Sequence, residues 1–158
     1  MTASKEQKKA VLVLGCPQVP VQTSLAIYLA YALRKKGVAT VIAGNRAARQ
    51  QVEVSDPERS YIGEMVDLHR FISELADGAR KYDYYFVFIH NDSGVSYAAT
   101  VQALSGKPVV AVIYGEHFQE MADAITFPSE KVAAKAVHNP LPLKNKIDEV
   151  LPWVVSNL

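Results

Sequence analysis

The sequence predicts an α/β fold, a three-layer α/β/α sandwich around a mainly parallel, five-stranded sheet. Three observations predict it. Apolar runs at Val11–Leu14, Ala39–Ala43, Tyr84–Ile89 and Pro108–Tyr114 alternate with stretches of helical period. The runs are apolar without alternation, as in strands covered on both faces. The link between the second and third runs, Gly44 to Asp83, is the longest in the chain. A link of that length can return the chain across strand one. With right-handed crossovers this favours the flavodoxin-like strand order 2-1-3-4-5 within a flavodoxin-like or Rossmann-like class.

Strand one, Val11 to Leu14, stops at Gly15. A loop stiffened by Pro17 and Pro20 leads to helix one, about Gln22 to Lys36, with Leu25, Leu29 and Leu33 on one face. Arg34, Lys35 and Lys36 suit its negative carboxyl end, and Gly37 suits a C′ cap. Ile27, Ala30 and Tyr31 make the opposite face apolar too, so it should be covered by the C-terminal helix or by a second copy of the chain. A homodimer is expected on that ground. Strand two ends at Gly44-Asn45-Arg46, with a short helical piece to Val52, and Ser55-Asp56-Pro57 is a break or the start of another helix. One helix is expected over about Asp67 to Lys81, with Gly78 inside it at a mild cost.

His90-Asn91-Asp92-Ser93-Gly94 breaks strand three, and a helix over Val95 to Leu104 follows. Gly115-Glu116-His117 stands behind strand four. A short helix from Phe118 to Ala122, a fifth strand at Ala124–Phe127 and a helix from Pro128 to about Val137 are expected next. The last helix runs from about Leu143 to Ser156, and Pro152 should kink it or end it early.

At 158 residues the chain reads as a tail over residues 1–9 and a single α/β domain over residues 10–158. Its net charge of +1 gives no electrostatic footprint for nucleic acid or an anionic membrane. No stretch has the length and character of a signal peptide or membrane span. The lone Cys16 cannot form an intrachain disulfide, which points to a reducing cytoplasm.

Under the expected order, the loops after strands one and three flank the switch point, where open α/β sheets take ligands. The candidate ligand-binding residues are therefore Gly15, Cys16 and Gln18, with Gln22 and Thr23 at the start of helix one. The second loop supplies His90, Asn91, Asp92, Ser93 and Gly94, and the neighbouring loop Gly115, Glu116 and His117. Asn91 to Gly94 are equally the residue types that turn a chain and cap the next helix. A small-molecule or cofactor ligand of unspecified identity is expected. Nucleotide motifs are absent: the first loop has neither the P-loop lysine nor a run of spaced glycines, and Asn45 and Arg46 stand where a ribose-binding carboxylate would. Arg46 and Arg49 could meet a phosphate or form a solvated helix face, and a free helix N-terminus near Thr23-Ser24 could hold an anion.

Cys16, His90, Asp92, Glu116 and His117 are possible metal ligands without diagnostic spacing. Cys16 with His90 or His117 could form a thiolate and its base, against the plainer reading of a small cysteine beside a strand end. His69 and His138 read as surface residues. A thiol-dependent enzyme and a non-catalytic subunit of a larger assembly stay open beside the binding reading.

The stretches Leu14-Gly15-Cys16-Pro17-Gln18-Val19-Pro20 and His90-Asn91-Asp92-Ser93-Gly94 carry a resemblance that runs over nearly the whole chain. It resembles a small uncharacterised family of methanogenic archaea, described as a domain of unknown function. That resemblance implies a three-layer α/β/α fold and an archaeal cytoplasm. It implies no activity, substrate or catalytic residue.

Overall fold

The structure, a computed structural model, describes residues 4–158. Its centre is a six-stranded parallel sheet. The strands are β1 (Lys9–Leu14), β2 (Ala39–Gly44), β3 (Glu64–Asp67), β4 (Tyr84–Ile89), β5 (Val109–Ile113) and β6 (Ser129–Ala133). They lie in the order β3-β2-β1-β4-β5-β6, every neighbouring pair parallel. That is the Rossmann order, with its switch point between β1 and β4.

The helices are α1 (Val21–Lys35), α2 (Arg46–Ser55), α3 (Leu68–Ala76), α4 (Asp92–Ser105), α5 (Phe118–Ala124) and α6 (Leu141–Asn157). Alternate strand residues point to opposite faces. Ala10, Leu12 and Leu14 therefore join a core with Leu25, Leu29 and Leu33 of α1, Val52 of α2 and Leu151 and Val154 of α6. Val11 and Val13 join a second core with Phe71 of α3, Val101 of α4 and Met121 of α5. No helix among the described residues is long and apolar enough to cross a membrane.

Six strands replace the expected five: two are added, both at sheet edges, and one is lost. β3 was hidden in the long link because only Val66 of its four residues is buried, between two acidic ends. The helix expected over Asp67 to Lys81 is shorter, α3. Asp67 caps its start, accepting from the N–H groups of His69 and Arg70, and Gly78 takes φ +69° just beyond its end instead of lying inside it. The strand expected at Ala124–Phe127 is not formed, since α5 runs to Ala124 and a turn follows. The stretch from Ser129 reads as a helix by propensity, yet pairs along β5 as strand β6. Edge pairing overrides propensity here, and Glu130 and Lys131 suit an edge that must not recruit further strands.

Two further expectations are corrected. α6 passes through Pro152 to Asn157, so the proline does not end it early. The proline ring is exposed, and Leu151 and Val154 on either side are fixed in the core. The tail is shorter than nine residues. Lys9 opens β1, its N–H bonded to Asp83 at 2.8 Å, and the Lys8 carbonyl accepts from the Ala39 N–H. Residues 1–3 of that tail lie outside the described residues.

The second face of α1 is covered largely from within the chain. Ala30 is fully buried. Tyr28 donates to Asp148 of α6 at 2.6 Å. Tyr31 is half-buried, edge-on to Tyr61 with ring centroids 5.5 Å apart.

The break at Asp56-Pro57 is built around the Asp56 carboxylate. It is buried and accepts from the backbone N–H groups of Ser60, Tyr61 and Ile62 at 2.8 to 3.0 Å. Burial alone would push its carboxyl up, but the three donors and Arg34 nearby bring it below the ordinary carboxylate range. A carboxyl depressed in the fold adds stability above its unfolded value of about 3.9, and that stability is lost as pH falls through the folded value. Asp56→Ala is expected to cost about 1–2 kcal/mol at neutral pH, chiefly by leaving the buried Ile62 N–H unmet. Asp56→Asn should cost less and lose less stability below about pH 4 than wild type does. Urea denaturation at pH 7 and pH 3 reads both effects. Equal acid sensitivity in all three proteins would contradict this role.

Candidate functional site

The carboxyl ends of β1 and β4 diverge at the switch point and leave a crevice of about 350 Å³. Gly15, Cys16 and Gln18 of the first loop line one side, and His90, Asn91, Ser93 and Gly94 line the other. Asn45 after β2, with Leu68 and His69 at the start of α3, closes a third side. Tyr97 supplies aromatic surface, and the buried Phe88 lies beneath. A hollow of about 410 Å³ lies at the opposite, amino edge, against Lys5–Lys8, Lys36–Val38 and Val155. It is remote from the loops in which ligands of this architecture sit.

A chain of hydrogen bonds runs behind the crevice, and its direction is fixed from one end. The Gly15 carbonyl can only accept, so the Gln22 side chain presents Nε2 to it, at 2.9 Å. Oε1 of Gln22 then faces Tyr114, whose hydroxyl donates to it. That uses the phenol's single proton. The contact between Tyr114 Oη and His90 Nδ1, 3.2 Å, is therefore an Nδ1–H donation from histidine to tyrosine. His90 is left with Nε2 as acceptor, with the Asn91 amide at a long 3.5 Å. Burial lowers the His90 pKa, favouring this neutral form. Burial also holds the proton on Tyr114, well above the ordinary phenol value. Gln22 and Tyr114 are almost wholly buried, so the histidine is oriented by groups that themselves have no freedom.

Glycines set the loops close to their neighbours. A Cβ on Gly94 would meet Ile89 Cα at 3.0 Å, so only glycine lets α4 start so near the end of β4. Gly115, at φ +98°, passes His90, where a Cβ would stand 3.6 Å from the histidine Cβ. Gly15 differs: a Cβ there would meet nothing within 4 Å.

The helix amino ends around the crevice are capped from within. Asn91 caps α4 through Gly94 N–H, and Asn45 caps α2 through Ala48 N–H. At α1 the Val21 N–H goes to the Val137 carbonyl and the Gln22 N–H to that of Val19. Arg49 bonds the Gly44 carbonyl at 3.0 Å and pairs with Asp67 at 3.5 Å, while Arg46 is exposed.

Seven of the residues singled out from sequence line the crevice: Gly15, Cys16, Gln18, His90, Asn91, Ser93 and Gly94. Gln22 stands behind it as the relay. Thr23 turns to Gln51 of α2, and Asp92 is exposed in the first turn of α4. The third loop does not join them. Glu116 pairs with Lys135 and His117 with Glu120, both exposed, and Gly115 contributes only its packing against His90. Among the described residues no three of His, Cys, Asp and Glu come together to hold a metal ion. Sequence reasoning missed Tyr114, Leu68, Tyr97 and Phe88, and read His69 correctly as a surface residue but not as part of the wall. His69 is exposed, but its place on the wall follows from the unforeseen strand β3.

A family model described as a domain of unknown function (DUF1890) matches residues 11–150. An uncharacterised protein of Methanocaldococcus jannaschii is 33% identical over 147 residues, covering 89% of this chain and 95% of that protein. The solved structure of MT0777 is similar at 39% identity with a TM-score of 0.85, covering 92% of this chain and 97% of that one. A phenylacrylic acid decarboxylase from Aquifex aeolicus, at 16% identity and a TM-score of 0.61, covers 94% of this chain and 96% of its own, a likeness of fold alone.

Tyr114→Phe keeps the ring and removes the central link of the relay. It should cost about 1–3 kcal/mol, because Gln22 Oε1 and His90 Nδ1 both lose a partner inside the fold. Thermal and urea unfolding measure the change. A variant within about 0.5 kcal/mol of wild type, as for a surface substitution, would show that the relay contributes little.

Proposed function

The chain belongs to the DUF1890 family, and from that premise we propose that it binds a small molecule or cofactor in the crevice between β1 and β4. The observation that carries the reading is the oriented His90, held by Tyr114 and Gln22 with one ring nitrogen left as an acceptor on a crevice wall. A buried relay that fixes one histidine is costly to build and suits recognition of a ligand donor. The expected single domain over residues 10–158, extended by Lys9 of β1, acts in a reducing cytoplasm. A second reading, thiol chemistry at Cys16, is favoured by the presence of Cys16 and His90 on the same crevice.

Gly15→Val adds bulk where nothing opposes it, so it should fill part of the crevice while the fold persists. A small-molecule collection screened by thermal shift should yield compounds that stabilise the wild type and not this variant. Compounds that stabilise both alike would contradict the site. A compound that leaves a covalent mass increase on Cys16 would move the reading to the thiol enzyme.

The homodimer belongs to the same proposal. Its support is no longer an uncovered α1 but the half-buried Tyr31 and its neighbour Tyr61, 41% exposed. Sedimentation equilibrium should find a dimer that Tyr31→Asp weakens, since the carboxylate would be desolvated without a partner. A wild-type monomer at roughly tens of micromolar would rule the dimer out.

A further inference from the structure

The crevice lining narrows the class of ligand, an inference that rests on the binding role proposed above. In sheets of this order, phosphate groups sit at the amino end of the first helix, where free N–H groups and the helix dipole favour negative charge. Here that end is occupied only in part, and no side chain caps it. Pro20, at the N-cap, has no N–H, and the next two N–H groups are taken by Val137 and Val19. Asp67 closes the start of α3, and the first turn of α4 carries Asp92, whose charge opposes an anion. Arg49 is held by Gly44 and Asp67.

Among the described residues no Lys, Arg, Asp or Glu lines the crevice. A charged ligand would leave water there without a counter-charge. A neutral one finds complementary groups. His90 Nε2 accepts. The side-chain N–H groups of Asn45 and Asn91 donate, since each asparagine oxygen is held by a helix cap. Tyr97 offers aromatic surface, with Leu68 and the buried Phe88 as the apolar floor. The volume, about 350 Å³, is at the small end of ligand sites.

We propose that the crevice takes an uncharged, planar heterocycle of purine or pteridine size, which gives a ring N–H to His90 Nε2 and turns its carbonyl or ring nitrogen to the asparagine amides. A ligand donor replaces the long contact from Asn91 to His90.

Amide ¹H–¹⁵N spectra of the full chain, titrated with hypoxanthine, lumazine and inosine monophosphate, test this. Either ring should shift the amides of Gly15, Cys16, Ser93 and Gly94, with the monophosphate weaker by about tenfold or more. Gly15→Val should weaken the ring by a similar factor. A monophosphate that binds as tightly as the rings would overturn the uncharged class and leave the binding role standing. Shifts confined to amides elsewhere would overturn the site itself. No shift with either ring at millimolar concentration, beside a thermal-shift compound that does move those four amides, would overturn the class alone.

Discussion

The Gly15 carbonyl can accept a hydrogen bond and cannot donate one, and the arrangement of the crevice depends on that asymmetry. It dictates the direction of the Gln22 amide, then of the Tyr114 hydroxyl, then the tautomer of His90. The three links join the end of β1, the first turn of α1, the residue just after β5 and the residue just after β4. Apolar packing positions these elements to within the tolerance of a core. The hydrogen bonds fix which atom of the histidine is left over. Gly115 and Gly94 serve the same end, letting the backbone pass close to His90 and letting α4 begin directly behind it.

The strand order is shared by many proteins and assigns no chemistry. At the helix ends around the crevice the Val137 and Val19 carbonyls take two N–H groups of α1, and Asp67 and Asn91 cap α3 and α4. The methanogen relative and MT0777 match over nearly their full lengths. The decarboxylase likeness shares the architecture only.

Much of this was legible in the sequence. Four apolar runs and one long link were enough for the α/β class and for the central order, because buried parallel strands cannot be polar. Both loops flanking the switch point were legible for the same reason. The edge strands were not: β3 buries one residue of four, and β6 is written in helix-forming Glu, Lys and Ala. Losing β3 also concealed His69 and Leu68, since a wall built by a missed strand cannot be placed. The third loop was overvalued because its His and Glu suggest chemistry, whereas in the fold they pair at the surface with Lys135 and Glu120. Tyr114 escaped because a tyrosine ending an apolar run reads as core. Its hydroxyl acquires meaning only when Gln22 and His90, far apart in sequence, are brought to it.

The central claim is that His90 is a neutral imidazole protonated on Nδ1 with Nε2 left as acceptor. Histidine ¹⁵N chemical shifts measured at neutral pH, with long-range ¹H–¹⁵N couplings, report the two ring nitrogens separately. The account predicts a protonated, pyrrole-type Nδ1 and a bare, pyridine-type Nε2, with the Nδ1 signal displaced in Tyr114→Phe. A proton on Nε2 with a bare Nδ1 would contradict it.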